Sequence, residues 1–470
     1  MIKREYFFLL ILITMLLGHF SCTHKSAGGA LSLSDAENKI SADADAVLQL
    51  WKFRWAVSDS SDRSLNTASE MTAAPSGDKS LPLSEGDKEM IHDGGNTNRS
   101  FSPDTATASS YNKFAYDFLA ASYRKAEEPN MIVSPLSLEM LLSVLANGAN
   151  RGALEEILSY LHAPSIEVLN EVNRYWLRLC KNPGEETNFS LANSIWVADD
   201  IELKNRFRED MQKDYAATVH SLASDPLQSQ KEINLWAKEN TNGMITEFLK
   251  EPLKRTVKLA LYNASYFEGM WRCQFWIQKG YLSPFKTPSG ELKLEMMHNN
   301  YSDNYYESSK YKGIDIDYYG KIFCMRVIVP NDDCTLDEVM NSLAKGIVKP
   351  EKRAILLSMP KFKIRHRIEN LEGLLKASGL GIIFNDPACF SSITSHSGLL
   401  KEAKLSQEAV IECDENGTKV AAVTGFAMAW DSGKRIEYTK LVIDRPFIFS
   451  IVEKKSGAVM FAGIVSDPTK

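Results

Sequence analysis

The chain lacks the residue patterns on which most enzymes and nucleic-acid binders depend. Its 470 residues carry 54 Lys and Arg against 60 Asp and Glu, a formal net charge of -6. No basic field dominates, so a nucleic-acid partner is not expected. The local basic cluster Lys361, Lys363, Arg365, His366 and Arg367 reads as the solvated face of a strand. Seven cysteines, Cys22, Cys180, Cys273, Cys324, Cys334, Cys389 and Cys413, show no short repeated spacing. That excludes a disulfide framework and a zinc pattern; most read as small buried hydrophobes, with one oxidised pair left open for an exported chain. Of eight histidines, His19, His24 and His92 fall in the first hundred residues, and His162, His220, His298, His366 and His396 have no partner at ligand or triad spacing. There is no metal-binding helix motif, no phosphate-cradling glycine loop and no G-x-S-x-G elbow. A Ser-His-Asp set assembled from distant residues stays open, but nothing local points to catalysis. The expectation is a protein without enzyme activity, cofactor or metal.

Long hydrophobic runs are also missing. The longest candidate, Tyr6 to Leu17, follows Lys3 and Arg4 and is too short for a comfortable membrane span. It reads as an export signal over residues 1–21, with Ser21 before Cys22 resembling the cleavage and lipidation site of a bacterial lipoprotein. His19 fits that motif poorly, and an ordinary signal peptide with Cys22 an incidental thiol is the competing reading. Residues 22–107 are rich in Ser, Ala, Asp, Gly and Thr and read as a mostly disordered tether, because so little apolar surface cannot offset the entropy of ordering. One apolar island, Val47 to Trp55, interrupts it.

Residues 108–470 carry the folded pattern, with 44% hydrophobic content over the whole chain. Phe114, Phe118, Leu119 and Tyr123 recur at helical spacing. Ser134-Pro135-Leu136-Ser137 supplies hydroxyl caps and a first-turn proline for a second helix running through Leu142. Strands are expected at Leu191–Val197, Val257–Phe267, Phe323–Pro330, Ile355–Phe362, Ala409–Cys413, Ile436–Ile443, Phe447–Val452 and Val459–Val465. Helices lead and strands follow, without a βαβ rhythm, which predicts an α+β fold. Near the end, Glu415 to Thr424 is a run of small and hydroxylated residues opening into uncharged Gly425 to Trp430. Gly417 and Gly425 bracket it as hinges. It reads either as an extended solvated loop able to join a sheet as an added strand, or as an ordinary strand plus turn.

Several islands carry a family resemblance. Asn130 to Ser137, Leu145 to Ala149, Ala192 to Val197, Ile233 to Trp236 with Thr241 to Gly243, Asn263 to Trp271, Met296-Met297, Met359 to Phe362, Glu412 to Thr424 and Asp444 to Phe447 are collinear with the serpins, a family of protease inhibitors. The resemblance covers roughly residues 108–470. It implies three β-sheets, about nine helices and an exposed reactive-centre loop near the C-terminus, cut by a target protease and then inserted into the central sheet. Inserting about a dozen residues would add on the order of ten ladder bonds at roughly 1 kcal/mol each, a driving force comparable with total domain stability.

The same resemblance implies roles for named residues. Glu415, Gly417, Thr418, Val420, Ala421, Ala422, Val423 and Thr424 form the hinge, with Val420 and Val423 bulkier than the alanines usual in inhibitory members. The reactive bond falls between Asp431 and Ser432 by family spacing, with Arg435, Met428 or Ala429 as alternatives if the count slips. Asp431 implies a caspase-like or granzyme-like target; the alternatives imply trypsin-like or elastase-like ones. Asn130, Ser134, Ser137 and Asn263 match a polar cluster beneath the sheet opening, Gln407 stands where the family often has histidine, and Trp271 lies at the top of the opening. The expected partners are a serine or cysteine protease and, through lipid on Cys22, a membrane; the expected state is a monomer, exported and either lipid-anchored to a bacterial membrane facing periplasm or exterior, or secreted. A non-inhibitory carrier or adhesion module is the alternative.

Overall fold

The computed structural model describes residues 102–386, 388–396, 403–418 and 437–470. All belong to one compact unit, Gly95–Lys470. Nine α-helices are described: α1 (Thr105–Tyr123), α2 (Pro135–Gly148), α3 (Arg151–Tyr160), α4 (Ile166–Lys181), α5 (Asn205–Tyr215), α6 (Pro226–Asn240), α7 (Leu336–Lys345), α8 (Leu371–Ala377) and α9 (Ile382–Asn385). The strands are β1 (Met131–Val133), β2 (Thr187–Ala198), β3 (Thr218–Leu222), β4 (Leu259–Met270), β5 (Trp276–Thr287), β6 (Gly290–Glu307), β7 (Tyr311–Asp317), β8 (Phe323–Pro330), β9 (Glu351–Pro360), β10 (Phe362–Ile368), β11 (Ala403–Cys413), β12 (Gly417–Thr418), β13 (Thr439–Val442), β14 (Phe447–Glu453) and β15 (Val459–Val465).

The second helix forms for the reasons its sequence announces. Ser134 caps α2 by accepting from the Ser137 amide, and Pro135 occupies the first turn. Every residue of α2 except Asn147 is buried. A helix buried on nearly every side is central, and the Ser137, Glu139 and Ser143 it carries are buried with it. Helix α1 begins at Thr105, capped by Asp104, a few residues inside the segment read as tether.

Strands pair into two continuous ladders. The six-stranded sheet runs β10-β11-β12-β4-β2-β3, and the larger one β1-β15-β14-β8-β7-β6-β9-β13 with β5 also on β6. Three sheets were expected. Two ladders are counted because β6 is 18 residues long, pairing with β9 along Met296–Tyr305 and with β7 through Tyr305–Glu307, so it joins two groups of strands. Strands β5 to β7 were not anticipated: much of β5 faces solvent and is polar, and although Leu292, Leu294 and Met296 alternate with charged residues at the start of β6, and Ile314 and Ile316 with aspartates in β7, those signals went unread.

The six-stranded sheet separates two cores. Along β4, Leu259, Leu261 and Phe267 join the main core with α1, α2 and the inner strands of the larger sheet, whereas Ala260, Tyr262 and Ala264 join a smaller cluster under α6 containing Ile233, Trp236, Phe248 and Val410. The period of two in a strand produces this division. One face of the sheet is thus backed by α2 and the other roofed by α6. Three of the six described cysteines are buried (Cys324, Cys389, Cys413), Cys273 is exposed and all six are free thiols. The expectation of mostly buried cysteines therefore holds for half of them.

Candidate functional site

The candidate site is the junction of β4 and β11. These two strands are neighbours and parallel, paired directly from Ala403 with Leu259 to Val410 with Tyr266. Beyond that point they part. The chain leaves β11 at Cys413 and reverses through an Asp414 turn, in which Oδ1 accepts from the amides of Asn416 and Gly417 at 2.7 and 3.2 Å. It re-enters between the strands as β12, with Thr418 opposite both Cys413 and Gly269, and Gly417 opposite Met270. Two residues of an additional strand therefore sit in the mouth of an otherwise closed sheet.

Gly417 is required there by space. A Cβ at that position would lie 2.2 Å from the Gly269 carbonyl oxygen, a contact no side chain tolerates. Thr418 is fully buried, and its hydroxyl is 2.6 Å from the Tyr318 hydroxyl. Tyr318 stacks on Trp271, centroids 4.6 Å apart, and Trp271 Nε1 donates to the Asp414 carbonyl at 2.8 Å. The Trp271 amide donates to the Asn416 carbonyl at 3.0 Å and the Phe275 amide to the Glu415 carbonyl at 2.9 Å. Burial drives the Tyr318 phenol well above its ordinary value, so it stays protonated, its hydroxyl 2.6 Å from that of Thr418. Glu415 pairs with Lys361 at 2.5 Å; burial pushes its carboxyl up, but the Lys361 contact and its backbone hydrogen bond outweigh that and leave it below the usual range.

Farther down the same junction lies a second polar group. The Ser134 amide donates to Gln407 Oε1 at 3.0 Å while Gln407 Nε2 donates back to the Ser134 carbonyl at 2.8 Å. Ser137 Oγ donates to Ser134 Oγ at 2.7 Å. Gln407 is the direct neighbour of Asn263 across β11 and β4, and Asn263 Nδ2 donates to Asn193 Oδ1 at 2.8 Å. The start of helix α2 is thereby tied to β11, and β4 to β2. Both Asn263 Oδ1 and Ser265 Oγ are buried without a hydrogen-bond partner. Such atoms are unusual and offer acceptors to an incoming group.

Of the residues singled out from the sequence, Glu415, Gly417, Thr418 and Trp271 meet at the mouth, and Ser134, Ser137, Gln407 and Asn263 meet below it. Asn130 does not join them. Its Nδ2 donates to the carbonyls of Asp467 and Lys470, and its Oδ1 accepts from the amides of Ser466 and Asp467, so its hydrogen bonds pin the C-terminus. Val420, Ala421, Ala422, Val423, Thr424, Met428, Ala429, Asp431, Ser432, Arg435 and Cys22 lie outside the described residues. Tyr318, Asn193 and Asp414 were missed as site residues. Tyr318 sits 100 positions from Thr418, and no local spacing signals that contact.

The comparisons agree with this architecture. A family model described as Serpin (serine protease inhibitor) matches residues 109–468. Serpin-Z10 of Arabidopsis thaliana is 31% identical over 367 residues, spanning 73% of this chain and 93% of the relative. The native-state structure of the thermophilic serpin tengpin superposes with a TM-score of 0.69 at 25% identity, covering 78% of this chain and 96% of that one. Human thyroxine-binding globulin in complex with its namesake ligand superposes with a TM-score of 0.66 at 21% identity, covering 78% and 99%, and at that identity speaks for the fold alone.

Proposed function

The chain belongs to the serpin family, and on that premise we propose that it inhibits a target protease as a suicide substrate. The observation that carries the reading is β12, two residues of a further strand started at the mouth of a sheet whose β4 and β11 are otherwise still paired. The protease nucleophile would attack the carbonyl of the residue before the scissile bond, releasing the amine of the next residue and leaving an acyl-enzyme. The freed loop would then extend β12. Continuing the observed register past Thr418 would set Val420 between Phe267 and Ile411, Ala422 between Ser265 and Ala409, and Thr424 between Asn263 and Gln407. Val420 thus meets two apolar residues, which suits a β-branched side chain. The Thr424 hydroxyl reaches the level of the two orphaned acceptors, Asn263 Oδ1 and Ser265 Oγ. Insertion has both an apolar and a polar reward in this register.

The reactive bond is assigned to Asp431-Ser432, which calls for a protease with a cationic specificity pocket; Arg435, or Met428 and Ala429, would instead suit trypsin-like or elastase-like enzymes. Residues 1–21 are proposed to direct export, with Cys22 lipidated, residues 22–107 a tether and the protein a monomer on a bacterial surface. Metabolic labelling with a fatty acid, lost in Cys22→Ser, tests the anchor. Incubation of the mature chain with Asp-specific, trypsin-like and elastase-like proteases tests the mechanism. A denaturant-resistant adduct with cleavage after Asp431 is expected. An adduct at another bond moves the specificity, and cleavage without adduct by every enzyme refutes inhibition of these classes. The carrier alternative is kept for one reason: a cavity remote from the hinge residues, described next.

A further inference from the structure

Between α1, α2, the turn after α3 and the first turns of α4 lies a cavity of about 290 Å³. No hinge or sheet-opening residue lines it. Its walls are largely apolar, formed by Tyr111, Leu161, Leu169 and Val172 with the partly buried Ala163 and Val168. One carboxyl lines it: Glu139, 2% exposed. Glu139 Oε1 accepts from Asn173 Nδ2 at 3.0 Å, but Oε2 has no hydrogen-bond partner, and neither does Asn173 Oδ1. A buried carboxyl normally finds a partner for both oxygens or is replaced by an apolar residue, because an unsatisfied polar group in such surroundings is costly.

We propose that this cavity binds a small ligand carrying an ammonium head on a hydrocarbon or aromatic body, the ammonium donating to Glu139 Oε2. The ligand would supply what the fold omits. The titratable groups facing Glu139 are Tyr111 from α1, His162 from the turn after α3 and Tyr215 from α5; α4 contributes only the uncharged Asn173. None provides a cation: burial keeps both phenols protonated, and burial with Lys113 lowers the His162 imidazole despite Asp117. Burial likewise pushes the Glu139 carboxyl up to about 8, opposed by its hydrogen bond with Asn173 and by the nearby Ser143 hydroxyl, which itself donates to the Glu139 backbone carbonyl. The empty site is therefore mainly neutral at pH 7. Pairing with an ammonium requires the carboxylate, so binding releases a proton below pH 8 and tightens about tenfold per pH unit until that value is reached. A ligand with a carbonyl head would do the opposite, taking the O–H of the neutral acid and weakening as pH rises.

The test is calorimetric titration of the mature chain with phenethylamine, and with 2-phenylethanol as its neutral isostere, at pH 6.5 and 8.5. The expected result is amine binding at least tenfold tighter than the alcohol at pH 8.5, weakened about 30-fold at pH 6.5, with proton release read from buffers of different ionisation enthalpy. Glu139→Gln should reduce amine affinity to that of the alcohol. Val168→Trp, which narrows the cavity while leaving Glu139 in place, should remove both. No amine binding at millimolar concentration, equal amine and alcohol affinities, affinity independent of pH, or unchanged amine affinity in Glu139→Gln would each overturn the proposal.

Discussion

Replacing Thr418 by Arg tests whether seating at the β4–β11 mouth governs trapping. Thr418 is fully buried and its hydroxyl lies 2.6 Å from that of Tyr318. Arg would lose that hydrogen bond, about 1 kcal/mol, and would either bury a guanidinium without a partner or hold the chain out of the slot, a cost of several kcal/mol. Taking about 3 kcal/mol as the cost at the insertion step slows it roughly 150-fold. Hydrolysis of the acyl-enzyme is untouched. A loop trapped roughly ten times for each release would then be released about fifteen times for each trapping. The assay is the ratio of adduct to cleaved protein against the protease identified by the panel. Thr418→Val calibrates it, because shape is kept and only the Tyr318 hydroxyl is left unpaired, for about 1–2 kcal/mol or a 5- to 30-fold effect. Adduct yield unchanged in Thr418→Arg would rule out passage of this residue into the sheet as the deciding step.

Three further outcomes are expected. Gly417→Val should unseat β12, since even a Cβ meets the Gly269 carbonyl at 2.2 Å; hydrogen exchange at Thr418 should rise, and preserved protection would contradict the steric reading. Gln407→Leu leaves the Ser134 amide unpaired and buried and takes from the Ser134 carbonyl one of its two donors, the Leu138 amide remaining, and should cost about 2–4 kcal/mol in denaturant unfolding; a loss under 1 kcal/mol would mean that water takes over the amide. Glu139→Gln should flatten the pH dependence of stability. Because the folded carboxyl titrates near 8, above its ordinary 4.5, its contribution is complete at acid pH and is lost as pH rises from about 4.5 toward 8, by at most about 5 kcal/mol, so the variant should gain on the parent across that window. Parallel curves would show that Glu139 is ionised in the fold.

Much of the fold was legible because its signals are local. The Ser134 cap, the proline after it and the apolar run to Leu142 announce α2, and near-continuous apolar runs buried on both faces mark β8, β14 and β15. The candidate site was legible in part. Gly417, Thr418 and Trp271, expected from the resemblance, do meet at the mouth, whereas Asn130, matched by the same resemblance to the cluster around Ser134, instead binds the C-terminal residues through four hydrogen bonds. An asparagine has two donors and two acceptor sites whichever partners it meets, so its type could not tell these apart.

The sequence by itself determined that the chain is α+β, carries a small-residue hinge segment and belongs among the serpins, since propensity, periodicity and motif order need no partner in space. Only the tertiary structure decided that β6 is long enough to join two groups of strands, that Tyr318 stands against Thr418 and that Glu139 faces a cavity with one oxygen unanswered. These depend on which side chains converge from distant positions, and the free energy of burying or pairing them is set by the neighbours the fold supplies.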